Sequence, residues 1–98
     1  MVINKIQDGD ALTLAPEGLL DTANAPTFDA EMEAATNATK NLTIDFAKVE
    51  YISSSGLRVL LKAQKKLNTV GIMRLINVND SVKEVFELTG FIDILTIV

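Results

Sequence analysis

Ser53, Ser54, Ser55 and Gly56 are the residues of this chain whose types and spacing could do chemistry. The three hydroxyls stand where a buried segment gives way to the amphipathic run Leu57 to Leu67. They would share one surface with the first free backbone N–H groups of a helix. A serine nucleophile at a strand-to-helix elbow needs glycines on both sides and a base nearby. This sequence has no histidine and no cysteine, so it contains no Ser-His-Asp triad, thiol nucleophile or thiolate metal site. A phosphate-binding loop needs several glycines and a lysine before Ser or Thr, and a calcium loop needs closely spaced acids. Neither pattern occurs. No catalytic residue, metal or cofactor is expected.

Two readings of the serines remain. In the simpler one, a serine caps the helix and Gly56 allows a tight turn from strand to helix. In the other, one serine is phosphorylated. A phosphoserine in the first helical turn meets unpaired N–H groups and the positive end of the helix dipole, so the fold tolerates the added charge. The same charge, about −2, disrupts a partner face that was apolar or acidic. That is a switch which spares the fold and breaks an interface.

The 98 residues form one expected domain spanning 1–98, with 48% hydrophobic and 22% charged residues, a balance typical of a packed core. The net charge of −4 and the lack of any basic run longer than Lys65-Lys66 disfavour nucleic-acid binding. No apolar run approaches the roughly 18–20 residues that span a bilayer, so membrane insertion is not expected. The first residues lack the basic-then-apolar pattern of a secretory signal. A cytoplasmic location is the expectation.

The elements that position the serines follow from pattern. Residues 2–7 and 10–15 flank Asp8-Gly9, a hairpin signal, and Pro16-Glu17-Gly18 is expected to end the pair. A helix follows, with Asn24 as cap, Pro26 in an early position, and Asp29, Glu31 and Glu33 near its positive end. Phe28, Met32 and Ala35 form its buried stripe. Residues 42–46 read as a central strand. In the next helix Leu57, Leu60, Leu61, Gln64 and Leu67 face the core, while Lys62, Lys65 and Lys66 form a solvated face. Residues 72–76 are a further buried strand. Ser81 with Glu84, or equally Asn79, opens a third helix that Gly90 stops. Residues 92–98 read as a final strand. The fold class is therefore α/β: a mixed, mainly parallel sheet with an N-terminal hairpin and three helices, in the order β-β-α-β-α-β-α-β. Partners of such sheets gather beyond the carboxyl ends of the strands, where the serines lie. Asp45, Tyr51, Met32 and Met73 have plainer roles: a local backbone contact, a packed aromatic and two core fillers.

At Val49-Glu-Tyr-Ile-Ser-Ser-Ser-Gly-Leu57 the sequence resembles the STAS domain family, of the bacterial anti-sigma factor antagonist type. The likeness continues through Gly18-Leu-Leu-Asp21, Leu42-Thr-Ile-Asp-Phe46, Gly71-Ile-Met-Arg-Leu-Ile-Asn77 and Leu88-Thr-Gly-Phe91. It implies partner switching without catalysis. Unphosphorylated, such an antagonist binds an anti-sigma factor that is also a serine kinase and so frees a sigma factor. The kinase phosphorylates the serine before the glycine, here Ser55, and a PP2C-type phosphatase reverses this. The resemblance assigns the partner face to Asp21, Thr22, Ser53, Ser54, Gly56, Leu57 and Arg58. This chain departs from the pattern at Ser53, where the family usually has Asp. That departure motivates an alternative, an adaptor subunit that is not phosphorylated, for instance in a lipid-transport ATPase. Many relatives also carry one more helix after the last strand; without it, exposed apolar surface and a partner or dimer contact are expected.

Overall fold

The hairpin closes one residue later than Asp8-Gly9 suggests. In the computed structural model, which describes residues 1–98, strand β1 (Val2–Asp8) pairs antiparallel with β2 (Ala11–Leu20), and Asp8 faces Ala11. The loop is Gly9-Asp10, with Gly9 at φ +60° and Asp10 outside the left-handed region, as a type II′ turn requires.

Strand β2 does not stop at Pro16-Glu17-Gly18. It runs on to Leu20 and changes partner on the way. Residues 11–14 pair in parallel with β3 (Asn41–Asp45), and residues 18–20 pair in parallel with β4 (Val49–Ile52). The register shifts between Gly18 and Leu19, where Gly18 has φ +97°. Pro16 falls in the gap between these two partners, so its missing N–H breaks no ladder. Strand β5 (Ile72–Ile76) pairs in parallel with β3, giving a five-stranded mixed sheet of path β1-β2-β3-β5 with β4 joined to β2.

Helices α1 (Ala25–Ala38), α2 (Ser54–Leu67) and α3 (Asp80–Thr89) complete the α/β fold. The core lies between sheet and helices. Leu12, Leu14, Leu42, Ile44, Met73 and Leu75 supply the sheet side. Phe28 and Met32 of α1, Leu57, Leu60 and Leu67 of α2, and Val82 and Phe86 of α3 supply the helical side. Leu61 lies at the margin, only half-buried. Gly71 brings the start of β5 against β3, since a Cβ there would stand 2.1 Å from the Lys40 carbonyl oxygen. Asn79 is the α3 cap: its side-chain oxygen accepts from Val82 N–H at 2.8 Å, while its amide donates to Val49 O at 2.9 Å. Gly90 ends that helix in the left-handed conformation, φ +81°.

Two elements differ from the expected order. Val49–Ile52 is a strand, where the expected order has no element between residues 42–46 and the serines. The C-terminal residues 92–98 do not form a full strand: Phe91–Asp93 make a 3-10 turn, Leu95 is buried, and a single bridge joins Leu75 to Ile97. Gly90 turns the chain straight into that 3-10 segment.

Candidate functional site

The serine junction is built where β2 and β4 end side by side. Ser53 continues the extended backbone, φ −96° and ψ 175°, and its N–H donates to Leu20 O at 2.9 Å. Its hydroxyl donates to the same carbonyl at 3.2 Å and accepts the Gly56 N–H at 3.5 Å. Ser53 thus ties α2 to the end of β2 and caps the helix. The first helical bond follows, from Leu57 N–H to Ser53 O at 2.9 Å.

Gly56 permits this arrangement. A Cβ at this position would meet Leu20 O at 2.7 Å and Ile52 Cγ1 at 2.8 Å. Only a residue without a side chain lets the first turn of α2 sit directly on the strand ends. Leu57 is buried beneath it, so it anchors the helix start and offers a partner no side chain.

Ser54 and Ser55 occupy the first two helical positions, where no intrahelical acceptor exists for their N–H groups. Ser54 is exposed and Ser55 half-buried. The Ser55 hydroxyl lies 3.1 Å from the Thr22 hydroxyl. Thr22 belongs to the turn after β2, which Asp21 organises: Asp21 Oδ1 accepts the Asn24 N–H at 3.0 Å, and its carbonyl accepts Ala25 N–H at 2.8 Å. Asn24 stands at the N-terminus of α1 yet makes no capping bond with its side chain; its amide donates to Leu19 O at 2.8 Å. The expected cap thus braces the turn that carries Thr22. No acid lies in the first turn of α1 either; Asp29, Glu31 and Glu33 sit beyond it and pair with lysines instead.

The predicted residues Asp21, Thr22, Ser53, Ser54, Ser55, Gly56, Leu57 and Arg58 therefore converge on the ends of β2 and β4. Their roles divide. Asp21, Ser53, Gly56 and Leu57 build the surface, whereas Thr22, Ser54, Ser55 and Arg58 present it. Arg58 is exposed, one turn beyond Ser54 and Ser55, and has no ion-pair partner. The sequence does not mark Leu20 or Asn24 as site residues: a backbone carbonyl leaves no trace in a sequence, and the Asn24 contact to Leu19 O exists only once the turn is folded. Asp45 does not reach the serines; its carboxylate accepts the Ala47 N–H at 2.9 Å and the Asn77 amide at 3.0 Å. Tyr51 is not packed: it is 51% exposed on the open side of β4, next to exposed Leu19.

The lysines of α2 are not simply solvated. Lys62 bridges Asp29 at 3.0 Å and Glu33 at 3.3 Å, and Lys66 reaches Glu33 at 3.5 Å. These contacts lock α2 to α1 along the side away from the serines. The Lys62 hydrogen bond and the Lys66 charge hold the Glu33 carboxyl below its ordinary range. Hydrogen bonds to Asp29 and Glu33 push the Lys62 ammonium above its own. All of these groups are exposed, so solvent screens the effect.

The larger surface cavities lie elsewhere, one of them between Asp10, Asn37, Lys40 and Lys66. No group of three or more Asp and Glu side chains is placed to hold a metal ion, and no helix is long and apolar enough to cross a membrane. The serine junction is open surface with free donors and hydroxyls, a shape suited to contact with another protein.

The model of the STAS domain matches residues 2–98. This chain belongs to the STAS domain family. It is 38% identical over 80 residues to BtrV of Bordetella bronchiseptica, a candidate anti-sigma factor antagonist, covering 80% of this chain and 69% of that protein. Among solved structures, a candidate anti-sigma factor antagonist from Thermotoga maritima superposes with TM-score 0.89 at 24% identity, covering 97% of this chain and 84% of that one. The anti-sigma factor antagonist SpoIIAA in its unphosphorylated form gives TM-score 0.76 at 18% identity, over 99% of this chain and 87% of its own. The Bacillus cell fate determinant SpoIIAA is also known in a phosphorylated form, with TM-score 0.75 at 19% identity over 99% of this chain and 91% of its own. At these identities the structural likenesses establish the fold. The STAS fold accommodates the five-stranded sheet, the missed strand β4 included.

Proposed function

We propose that this chain is an anti-sigma factor antagonist that works by binding and has no catalysis of its own. Its partner is an anti-sigma factor serine kinase of the cytoplasm. The kinase docks on the surface made by Thr22, Ser54, Ser55 and Arg58, phosphorylates Ser55, and leaves; a PP2C-type phosphatase resets the site.

The observation that carries this reading is the placement of Ser55. It is the second residue of α2, beside two free N–H groups and 3.1 Å from the Thr22 hydroxyl. A phosphoryl group on its Oγ gains the helix dipole, worth about 0.3–1 kcal/mol at an exposed site, and finds Thr22 as an added donor. The fold keeps its shape while the partner meets two negative charges at the centre of its footprint. Ser53, the departure that motivated an adaptor, does here what Asp would do, because it accepts the Gly56 N–H as an N-cap. It therefore gives the adaptor reading no support of its own.

The test is phosphorylation by the anti-sigma kinase and ATP, with the site mapped by mass spectrometry. Ser55 is expected to take the phosphate, and binding to the kinase to fall with it. Equal labelling of Ser55→Ala, or a phosphorylated protein that binds as tightly as before, would sink the proposal. Recovery of a transport ATPase and no kinase in a pull-down would favour the adaptor.

A further inference from the structure

The free edge of β1 carries an inference that is independent of partner switching. Strand β1 is the edge of the sheet, pairs only with β2, and contains no proline or bulge. Its hairpin closes on Asp8 and Ala11, so residues 2, 4, 6 and 8 exchange hydrogen bonds with β2, and Ile3, Lys5 and Gln7 point their backbone groups outward. An unblunted edge of this kind is a template for another strand. The lysine that would ordinarily repel one is neutralised: Lys5 Nζ sits 2.6 Å from Glu31 of α1.

The side chains of β1 add a second observation. Lys5 and Gln7 lie on the helix-covered side of the sheet, whereas Val2, Asn4 and Ile6 lie on the open side with Thr13 and Ala15. Val2 is 58% and Ile6 62% exposed, two large aliphatic groups left in water on one edge strand.

We infer that β1 pairs antiparallel with β1 of a second copy, about a twofold axis through Asn4. In that register Val2 of each copy faces Ile6 of the other, Asn4 faces Asn4, and the outward groups of Ile3 bond those of Lys5. Each exposed aliphatic side chain gains an apolar cross-strand partner, and no like charges meet. A twofold through Lys5 instead sets Val2 against Asp8 and Ile6 against Asn4, so neither aliphatic side chain gains an apolar partner. A twofold through Ile6 leaves Val2 with no strand residue opposite and sets Asn4 against Asp8. Apolar matching therefore selects both the occupant and the register. One strand pair buries far less than the roughly 1,200 Å² of a standard stable interface, so the dimer is weak and concentration-dependent.

A disulfide trap tests this directly, because the chain has no cysteine of its own. Opposed residues of a non-hydrogen-bonded antiparallel pair have Cα atoms about 4.5 Å apart, within the range a disulfide spans. Under mild oxidation Asn4→Cys is expected to form a covalent dimer at least about tenfold faster than Glu87→Cys, an exposed control on α3, because pairing raises the effective thiol concentration. Adding Ile6→Lys to Asn4→Cys should return the rate to the control value. Circular dichroism of each variant verifies that it is folded. Cross-linking of Asn4→Cys at the control rate, or slower than that of Lys5→Cys, would overturn the inference; the first result leaves the edge to a foreign strand, the second places the twofold at Lys5.

Discussion

Replacing Gly56 by alanine separates local preference from tertiary fit. Helix propensity alone favours the substitution by about 1 kcal/mol. The fold opposes it. The new Cβ would stand 2.7 Å from Leu20 O, 2.8 Å from Ile52 Cγ1 and 3.2 Å from Leu20 Cβ, where ordinary contact begins at 3.4 Å. The closest atom is backbone, in the end of a paired strand, and cannot swing aside. The start of α2 must lift by about 0.7 Å, an overpacking strain of roughly 1–3 kcal/mol. Leu20 O also accepts both the N–H and the hydroxyl of Ser53, so moving it weakens two hydrogen bonds, each worth roughly 0.5–1.5 kcal/mol. Setting the helix gain against these losses leaves a net destabilisation of about 1–3 kcal/mol. Urea unfolding should show a lower midpoint with an unchanged slope, and Tm should fall by about 4–8 °C for each kcal/mol lost. The Ser55 to Thr22 contact, 3.1 Å in the wild type, should stretch beyond hydrogen-bonding distance. An alanine variant as stable as the wild type, or about 1 kcal/mol more stable, would refute the close approach and with it this account of why a glycine follows Ser55.

Other substitutions probe neighbouring parts of the same structure. Ser53→Ala should cost about 0.5–1 kcal/mol in chemical denaturation, the low end for an N-cap because its bond to Gly56 is long at 3.5 Å, and Ser53→Asp should restore the cap but not the bond donated to Leu20 O, since a carboxylate only accepts. Asn79→Ala should cost more, about 1–2 kcal/mol, since it removes the α3 cap and leaves the Val49 carbonyl without its donor; a loss no larger than that of Ser53→Ala would count against the second bond. The Glu33 carboxyl is held below its usual value of 4.5, so its contribution to stability is fully present above that pH and fades as pH falls through the lowered folded value. NMR titration of Glu33 in the wild type and in Lys62→Met should show the apparent pKa rising in the variant; an unchanged midpoint would mean that the clamp between α1 and α2 does not form in solution.

Much of this architecture is legible in the chain. The helical spacing of Phe28, Met32 and Ala35, and of Leu57, Leu60 and Leu67, marks two faces that are indeed buried. The apolar runs around Ile44 and Leu75 mark the central strands for the same reason: a strand covered by its neighbours needs apolar side chains along it. The serine-glycine junction is visible too, because hydroxyls at a helix start and a glycine at a tight approach are chemical requirements of single positions.

What escapes the sequence depends on residues far apart in it. Val49–Ile52 has no alternation of its own and becomes a strand because β2, bent at Gly18, offers a second parallel edge beyond the end of β3. Residues 92–98 have every local preference for a strand, yet the 3-10 turn at Phe91–Asp93 and the burial of Leu95 reduce their pairing with β5 to one bridge at Ile97. Asn24 has the composition of a helix cap, but a carbonyl at Leu19 competes for its side chain and wins. Ser55 illustrates both halves. Its type and its place before Gly56 are written in the chain, while its pairing with Thr22, 33 residues away, exists only because the ends of β2 and β4 are brought together. Local chemistry chooses the residue, and long-range packing chooses what stands beside it.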